Sequence, residues 1–238
     1  KRNLIQILFI KINLIQQKFN YMKTDYNLIR NFGPSIFKVI IPDPIVNNIN
    51  KYVDEVIEDK SKAKKLNAGE SLVGDVTQEI QLENDFMDKV GWSNFLQKCA
   101  SKWIELAMDK KVTKFKIIES WVVRQYENEY NPVHWHSGHI SGAGFLKVPK
   151  SLGEHTQKKD KVDYFGGQLE LVHGTKMFMS QSTFPIKPKV GEFFFFPNYM
   201  MHTVYPFKNS NEERRSISFN AVVDESIYNV YGKELEKF

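Results

Sequence analysis

Cysteine is almost missing from this chain: Cys99 is the only one in 238 residues. One thiol cannot close an internal disulfide, so the fold must rest on packing, and the usage suits a reducing, cytoplasmic setting. Long apolar runs are missing too. None approaches the roughly 18 residues that a membrane span requires. Strong charge of one sign is the third absence. The formal net charge is +5, but Lys1, Arg2, Lys11 and Lys18 carry four of those charges within the first 21 residues. The remainder is nearly balanced and offers no basic footprint for a nucleic-acid backbone.

That first stretch, KRNLIQILFIKINLIQQKFNY, is basic and then apolar. Gln6, Lys11 and Asn13 interrupt the apolar part and no small-residue cleavage site follows, which argues against a secretory leader. MKTDYNLI from Met22 reads as a natural beginning. Residues 1–21 are therefore expected to be an extension outside the fold, with an amphipathic surface helix as the alternative. Residues 22–238 are expected to form one domain. Its 18 Phe, 10 Tyr and 4 Trp supply enough apolar mass for a core without covalent staples.

The periodicity changes along that domain. SIFKVIIPDP predicts a strand over 36–41, then a helix capped by Asp43 with Pro44 at its first position. Residues 59–80 are polar and read as loop with one short strand. Phe86, Val90, Phe95, Cys99, Trp103 and Leu106 recur at helical spacing and predict a single helix over 84–108 as core packing. From Val112 onward apolar residues alternate at period two, broken by Gly and Pro. The expected architecture is a helical part, 43–110, buttressing a jelly-roll part, 112–225. The Lys-rich stretch 147–163 is long for a hairpin connection.

The segment YNPVHWHSGHISG, 130–142, holds three of the six histidines. Side chains at i and i+2 of a strand share a face, so His134 and His136 point together and Trp135 points away. Two imidazoles on one face suit a divalent ion, but a third ligand must come from elsewhere. His202, after the apolar run FFFFP, is the best candidate; His139 is a reserve. His155, in the polar loop, and His173, at a strand end, read as ordinary polar residues. In RRSISFN, strict alternation puts Arg214, Ser216, Ser218 and Asn220 on one face and Arg215 on the other, while a bulge would swap the two arginines. An inward guanidinium needs an anion, and with a hydroxyl two residues on it suits a small dicarboxylate. Gly138, Gly142 and Gly144 permit either a close approach to a cofactor or a bend in a curved sheet.

SWVVRQY, HWHSGHISGAGFL, FGGQLELV, KVGEFFFFPNYMMHTVYPF and RRSISFNAVV occur in an order that resembles the Fe(II)- and 2-oxoglutarate-dependent dioxygenase superfamily. Within it the chain looks most like a prolyl-hydroxylase-like group of small proteins from marine cyanobacteria and their phages. The resemblance covers about Ser120 to Val223. It implies a double-stranded β-helix, Fe(II) held by His134, His136 and His202, and O₂ and 2-oxoglutarate as cosubstrates. It also implies Arg214 and Ser216 on the distal carboxylate, with Tyr126 as a further hydrogen-bond partner. One departure stands out: most of the superfamily has Asp or Glu where this chain has His136, which leaves the iron site one unit more positive. The expected activity is hydroxylation of a small molecule or peptide with release of succinate and CO₂. The alternatives are a cupin-like three-histidine jelly roll without 2-oxoglutarate chemistry, which would not require the Arg-x-Ser pair, and a relative that has kept the fold and lost the chemistry.

Overall fold

A computed structural model describes residues 33–155 and 164–229. The chain divides at Gly33/Pro34 into two compact units, and everything below belongs to the second. The extension expected at 1–21, its alternative as a surface helix, and much of the Lys-rich stretch lie outside the described residues.

Ten strands form two antiparallel sheets. They are β1 (Phe37–Ile40), β2 (Gln78–Gln81), β3 (Phe115–Gln125), β4 (Asn131–His134), β5 (Ile140–Lys147), β6 (Leu169–Val172), β7 (Thr183–Ile186), β8 (Glu192–Pro197), β9 (Met201–Val204) and β10 (Arg214–Val223). The major sheet has the order β1-β8-β5-β10-β3-β2 and the minor sheet β4-β9-β6-β7. Four strands of each, β8-β5-β10-β3 facing β4-β9-β6-β7, make the expected jelly roll, and β1 and β2 widen the major sheet. The helices are α1 (Asp43–Glu58), α2 (Lys60–Lys65), α3 (Asn84–Lys89), α4 (Trp92–Met108) and α5 (Glu225–Tyr228).

Three local expectations are revised. Pro42, not Asp43, is the N-cap of α1, with no side-chain cap bond, and Asp43 supplies negative charge in the first turn instead. The single helix expected over 84–108 is two, because Gly91 takes φ +80° and breaks the run between α3 and α4. The polar segment 59–80 holds α2 as well as a strand; Asp59 caps that helix by accepting from the Ser61 and Lys62 amides.

Helices α1 and α4 cover one face of the major sheet. Ile49, Val53 and Val56 of α1 and Trp92, Leu96 and Ala100 of α4 pack with Phe193, Phe195, Ile217 and Phe219. The other face of the same strands meets the minor sheet through Phe145, Leu169, Leu171, Phe194 and Phe196. This explains the four consecutive phenylalanines: β8 is buried on both faces, so alternate rings feed two different cores. It also settles two of the glycines. A Cβ on Gly142 would meet the rings of Phe193 at 2.6 Å and Phe219 at 2.7 Å, so this glycine makes room for aromatic packing under the helices and not for a cofactor. Gly144 lies against Phe193 in the same way. Gly138 takes φ +91° in the turn before β5.

Candidate active site

His134 and His202 are direct partners across β4 and β9 of the minor sheet. His136 lies just past the end of β4, in a turn pinned to the β8–β9 connection. Its amide donates to the Asn198 carbonyl at 3.1 Å, and the Asn198 amide side chain donates back to the His136 carbonyl at 3.2 Å. The PN turn after the phenylalanine run thus positions His136 as well as leading into His202. One candidate ligand nitrogen from each of the three rings lies within 4.8 Å of the others.

The tautomers are fixed by the backbone. His134 Nδ1 lies 2.7 Å from the Pro132 carbonyl and His202 Nδ1 2.9 Å from the Met200 carbonyl. A carbonyl only accepts, so each Nδ1 carries the proton and each Nε2 presents its lone pair. His136 Nε2 lies 3.2 Å from His202 Nε2. Burial, reinforced by the neighbouring imidazoles, pulls His202 down to about 3 and His136 to about 4; burial also lowers His134. All three are neutral at physiological pH. Three neutral, converging nitrogen donors fit Fe(II), with Zn, Cu and Ni as competitors, because imidazole suits them all.

The histidines form one wall of a cleft of about 690 Å³, its open mouth included. The opposite wall is the inward face of the major sheet, with Trp121, Val123, Phe145, Arg214, Ser216 and Ser218. Arg214 is 1% exposed, yet among the described residues it makes no ion pair. Its Nε donates to the Gly167 carbonyl at 2.9 Å and an Nη to Ser216 Oγ at 3.3 Å, and Phe145 lies under the guanidinium. Burial alone pulls Arg214 down to about 9, so it stays charged at neutral pH without an acid to balance it. A charge in that position calls for an anion. Arg215, by strict alternation, turns to the helical layer. There it binds Glu213 at 2.7 Å and Asp54 at 2.6 Å and donates to Asn50.

Two expected site residues lie elsewhere. His139 stacks on Tyr228 of α5 at 3.8 Å, accepts from the Val223 amide through Nδ1 and turns Nε2 toward Glu225. It locks α5 onto the sheet and does not stand among the other three imidazoles. Tyr126 is not part of the cleft lining. Trp121 and Val123 face inward on β3, so Arg124 and Tyr126 share the opposite face, where the phenol accepts from Arg124 at 2.9 Å. His155 packs against Tyr164 and His173 against Tyr199, both outside the imidazole cluster. Glu79, Trp121 and Asn131 line the cleft and were missed. Trp121 was legible from its parity with Val123. Glu79 was not, because β2 is a four-residue strand inside a polar segment.

Residues 119–220 match the family model described as putative 2OG-Fe(II) oxygenase. Among solved structures, a prolyl hydroxylase from Trichoplax adhaerens, in complex with a hypoxia-inducible-factor peptide fragment, aligns with a TM-score of 0.52 and 12% identity. The alignment covers 84% of this chain and 87% of that one. The α-ketoglutarate-dependent epimerase SnoN of nogalamycin biosynthesis aligns with a TM-score of 0.52 and 12% identity, over 79% and 77% of the two chains. A viral collagen prolyl hydroxylase from Paramecium bursaria Chlorella virus-1, in its 2-oxoglutarate complex, is 15% identical over 78% and 94%, with a TM-score of 0.47. Among curated proteins no sequence matches the chain. The jelly roll is thus that of 2-oxoglutarate/Fe(II) oxygenases, and the stretch that matches their family model contains all three clustered histidines and the Arg214–Ser216 pair.

Proposed function

We propose that this protein is an Fe(II)- and 2-oxoglutarate-dependent oxygenase that hydroxylates a small molecule or a peptide and releases succinate and CO₂. The observation that carries the reading is the pairing of three convergent neutral imidazoles with a buried, acid-free guanidinium across one cleft. A three-histidine jelly roll without 2-oxoglutarate chemistry would have no use for Arg214, which is costly to bury unpaired.

His134, His136 and His202 are assigned as metal ligands. Fe(II) held there would supply the dioxygen chemistry that couples oxidation of the keto acid to hydroxylation. Arg214 clamps the distal carboxylate of 2-oxoglutarate, and the Ser216 hydroxyl, which accepts from Arg214, turns its own proton to the same carboxylate. Phe145 and Leu169 keep water from that end, which strengthens the charge pair. The chain's part is binding, orientation and exclusion of water. No helix of the described residues is long and apolar enough to cross a membrane, and a cytoplasmic setting keeps Cys99 reduced.

The test is stoichiometric. Protein supplied with Fe(II), ascorbate, air and 2-oxoglutarate should form succinate and CO₂ in equal amounts, slowly without substrate, and His202→Ala should abolish this. No succinate, together with no shift in melting temperature on adding 2-oxoglutarate to metal-loaded protein, would overturn the reading.

A further inference from the structure

The cleft has a second charged pole. Of the residues that line it, only Arg214 and Glu79 carry a full formal charge. Glu79 lies on β2, where its Cα partner is Val123 of β3, and Val123 is in turn the partner of Ser216 on β10. These three residues form one row across the inward face of the major sheet. Two strand spacings separate Glu79 from Ser216, about 10 Å. Glu79 therefore stands on the flank of the cleft away from the carboxylate clamp.

Its carboxylate is out of place as a structural group. Glu79 is 2% exposed, and its Oε2 is buried without any hydrogen-bond partner. No Lys or Arg of the cleft lining other than Arg214 is available to pair with it. Gly74, in the segment before β2, packs directly on it: a Cβ there would meet Glu79 Oε1 at 2.9 Å and Asn131 Nδ2 at 2.8 Å. The backbone thus roofs the carboxylate at a point where any side chain would collide with it. A buried, partnerless acid costs stability unless something arrives to bind it.

We infer that Glu79 is the specificity-determining residue of the cleft and receives a cationic nitrogen, an ammonium or guanidinium, on the substrate. This rests on the oxygenase reading and names its substrate class. A cationic nitrogen gives the lone Oε2 the donor it lacks within the fold. The aromatic surroundings suit the same guest, since Trp121 lines the cleft beside His136 and Trp135 stands 65% exposed on its rim. Burial lifts Glu79 to about 7. An approaching cation would favour its ionised form, which is how an unpaired acid gains from a partner.

Matched probes test this on the full chain loaded with Mn(II) and 2-oxoglutarate without oxygen. N-acetyl methylamides of lysine and arginine are compared by calorimetry with those of their neutral isosteres, norleucine and citrulline. The cationic member of each pair should bind at least tenfold more tightly, and Glu79→Gln should erase that preference without changing 2-oxoglutarate affinity. Equal affinities, no binding by either cationic probe, or a preference that survives in E79Q would overturn the inference. The isostere comparison in the unmodified chain decides alone if E79Q does not fold. Should 2-oxoglutarate itself fail to bind, the oxygenase reading falls, and the same probes without it still report on Glu79.

Discussion

The Nε2 atoms of His136 and His202 face each other at 3.2 Å. His202 already spends its ring proton on the Met200 carbonyl, so its Nε2 can only offer a lone pair. Metal–imidazole bonds of about 2.0–2.1 Å place neighbouring nitrogens about 2.8–3.4 Å apart for angles between about 90° and 110°. The observed separation falls inside that interval. A divalent ion should therefore stabilise the fold measurably, by about 2.7 kcal/mol at a hundredfold excess over its dissociation constant. Melting with and without Mn(II) checks this, and His136→Ala or His202→Ala should remove most of the shift.

Acid should affect the apo and metal-loaded proteins differently. His136 and His202 sit near 4 and 3 in the fold, against about 6.5 when unfolded. Between those limits the unfolded chain binds protons that the fold refuses. Stability is thus fully present above pH 6.5 and is lost as pH falls, with a slope approaching 1.4 kcal/mol per pH unit per group. Because the rings are already neutral at pH 6, metal affinity should change little between pH 8 and pH 5.5. Urea unfolding across this range, and metal titration at its ends, check both statements.

Glu79 should show the opposite trend. Its carboxyl lies near 7 in the fold, raised by burial from about 4.5. The native state holds a proton that the unfolded chain has released, so this group lowers stability as pH rises from about 4.5 to about 7. Relative to the unmodified apo protein, E79Q should gain about 3 kcal/mol at pH 8 and nothing near pH 4. Chemical unfolding at the two pH values measures the difference.

Adjacent arginines should separate binding from folding. Arg214→Ala should weaken 2-oxoglutarate about 30- to 100-fold, the value of a charge-assisted pair, while leaving metal binding in place. Arg215→Met should destabilise the fold by about 3 kcal/mol, because half-buried Glu213 loses its nearest counter-ion and is left with Arg124 alone. Its 2-oxoglutarate affinity should be unchanged. Equilibrium binding and denaturation on the same two variants distinguish the roles.

Period-two reasoning carried far in this chain. Alternation put Arg214 and Arg215 on opposite faces, short of deciding whether a bulge swaps them, and it grouped His134 with His136, although His136 lies past the end of β4 and the opposite residues Val133 and Trp135 face solvent. Tyr126 was implied by the resemblance, whereas its parity with Arg124 sends it outward. His139 was beyond such reasoning, since its partners Tyr228 and Glu225 come from a four-residue helix some 90 residues away. Glu79 was illegible for a related reason. A short edge strand in a polar stretch has no pattern to read until its register with β3 is known. Gly142 and Gly144 carried no sign in sequence of whether a ligand or a ring would fill the space beside them.

Strand β8 carries a wider consequence. Phe193 and Phe195 lie beneath the helices, while Phe196, the next residue along, holds its ring 5.1 Å from His202. One peptide unit joins the distant layer to the imidazoles, and a tightly filled interior passes displacement along with little damping. Erosion of the helical side, for instance by truncating Phe195, would thus be felt first as slackened capture of the ion, before any global melting. The far layer of the molecule acts as a remote tuning screw for its reactive heart.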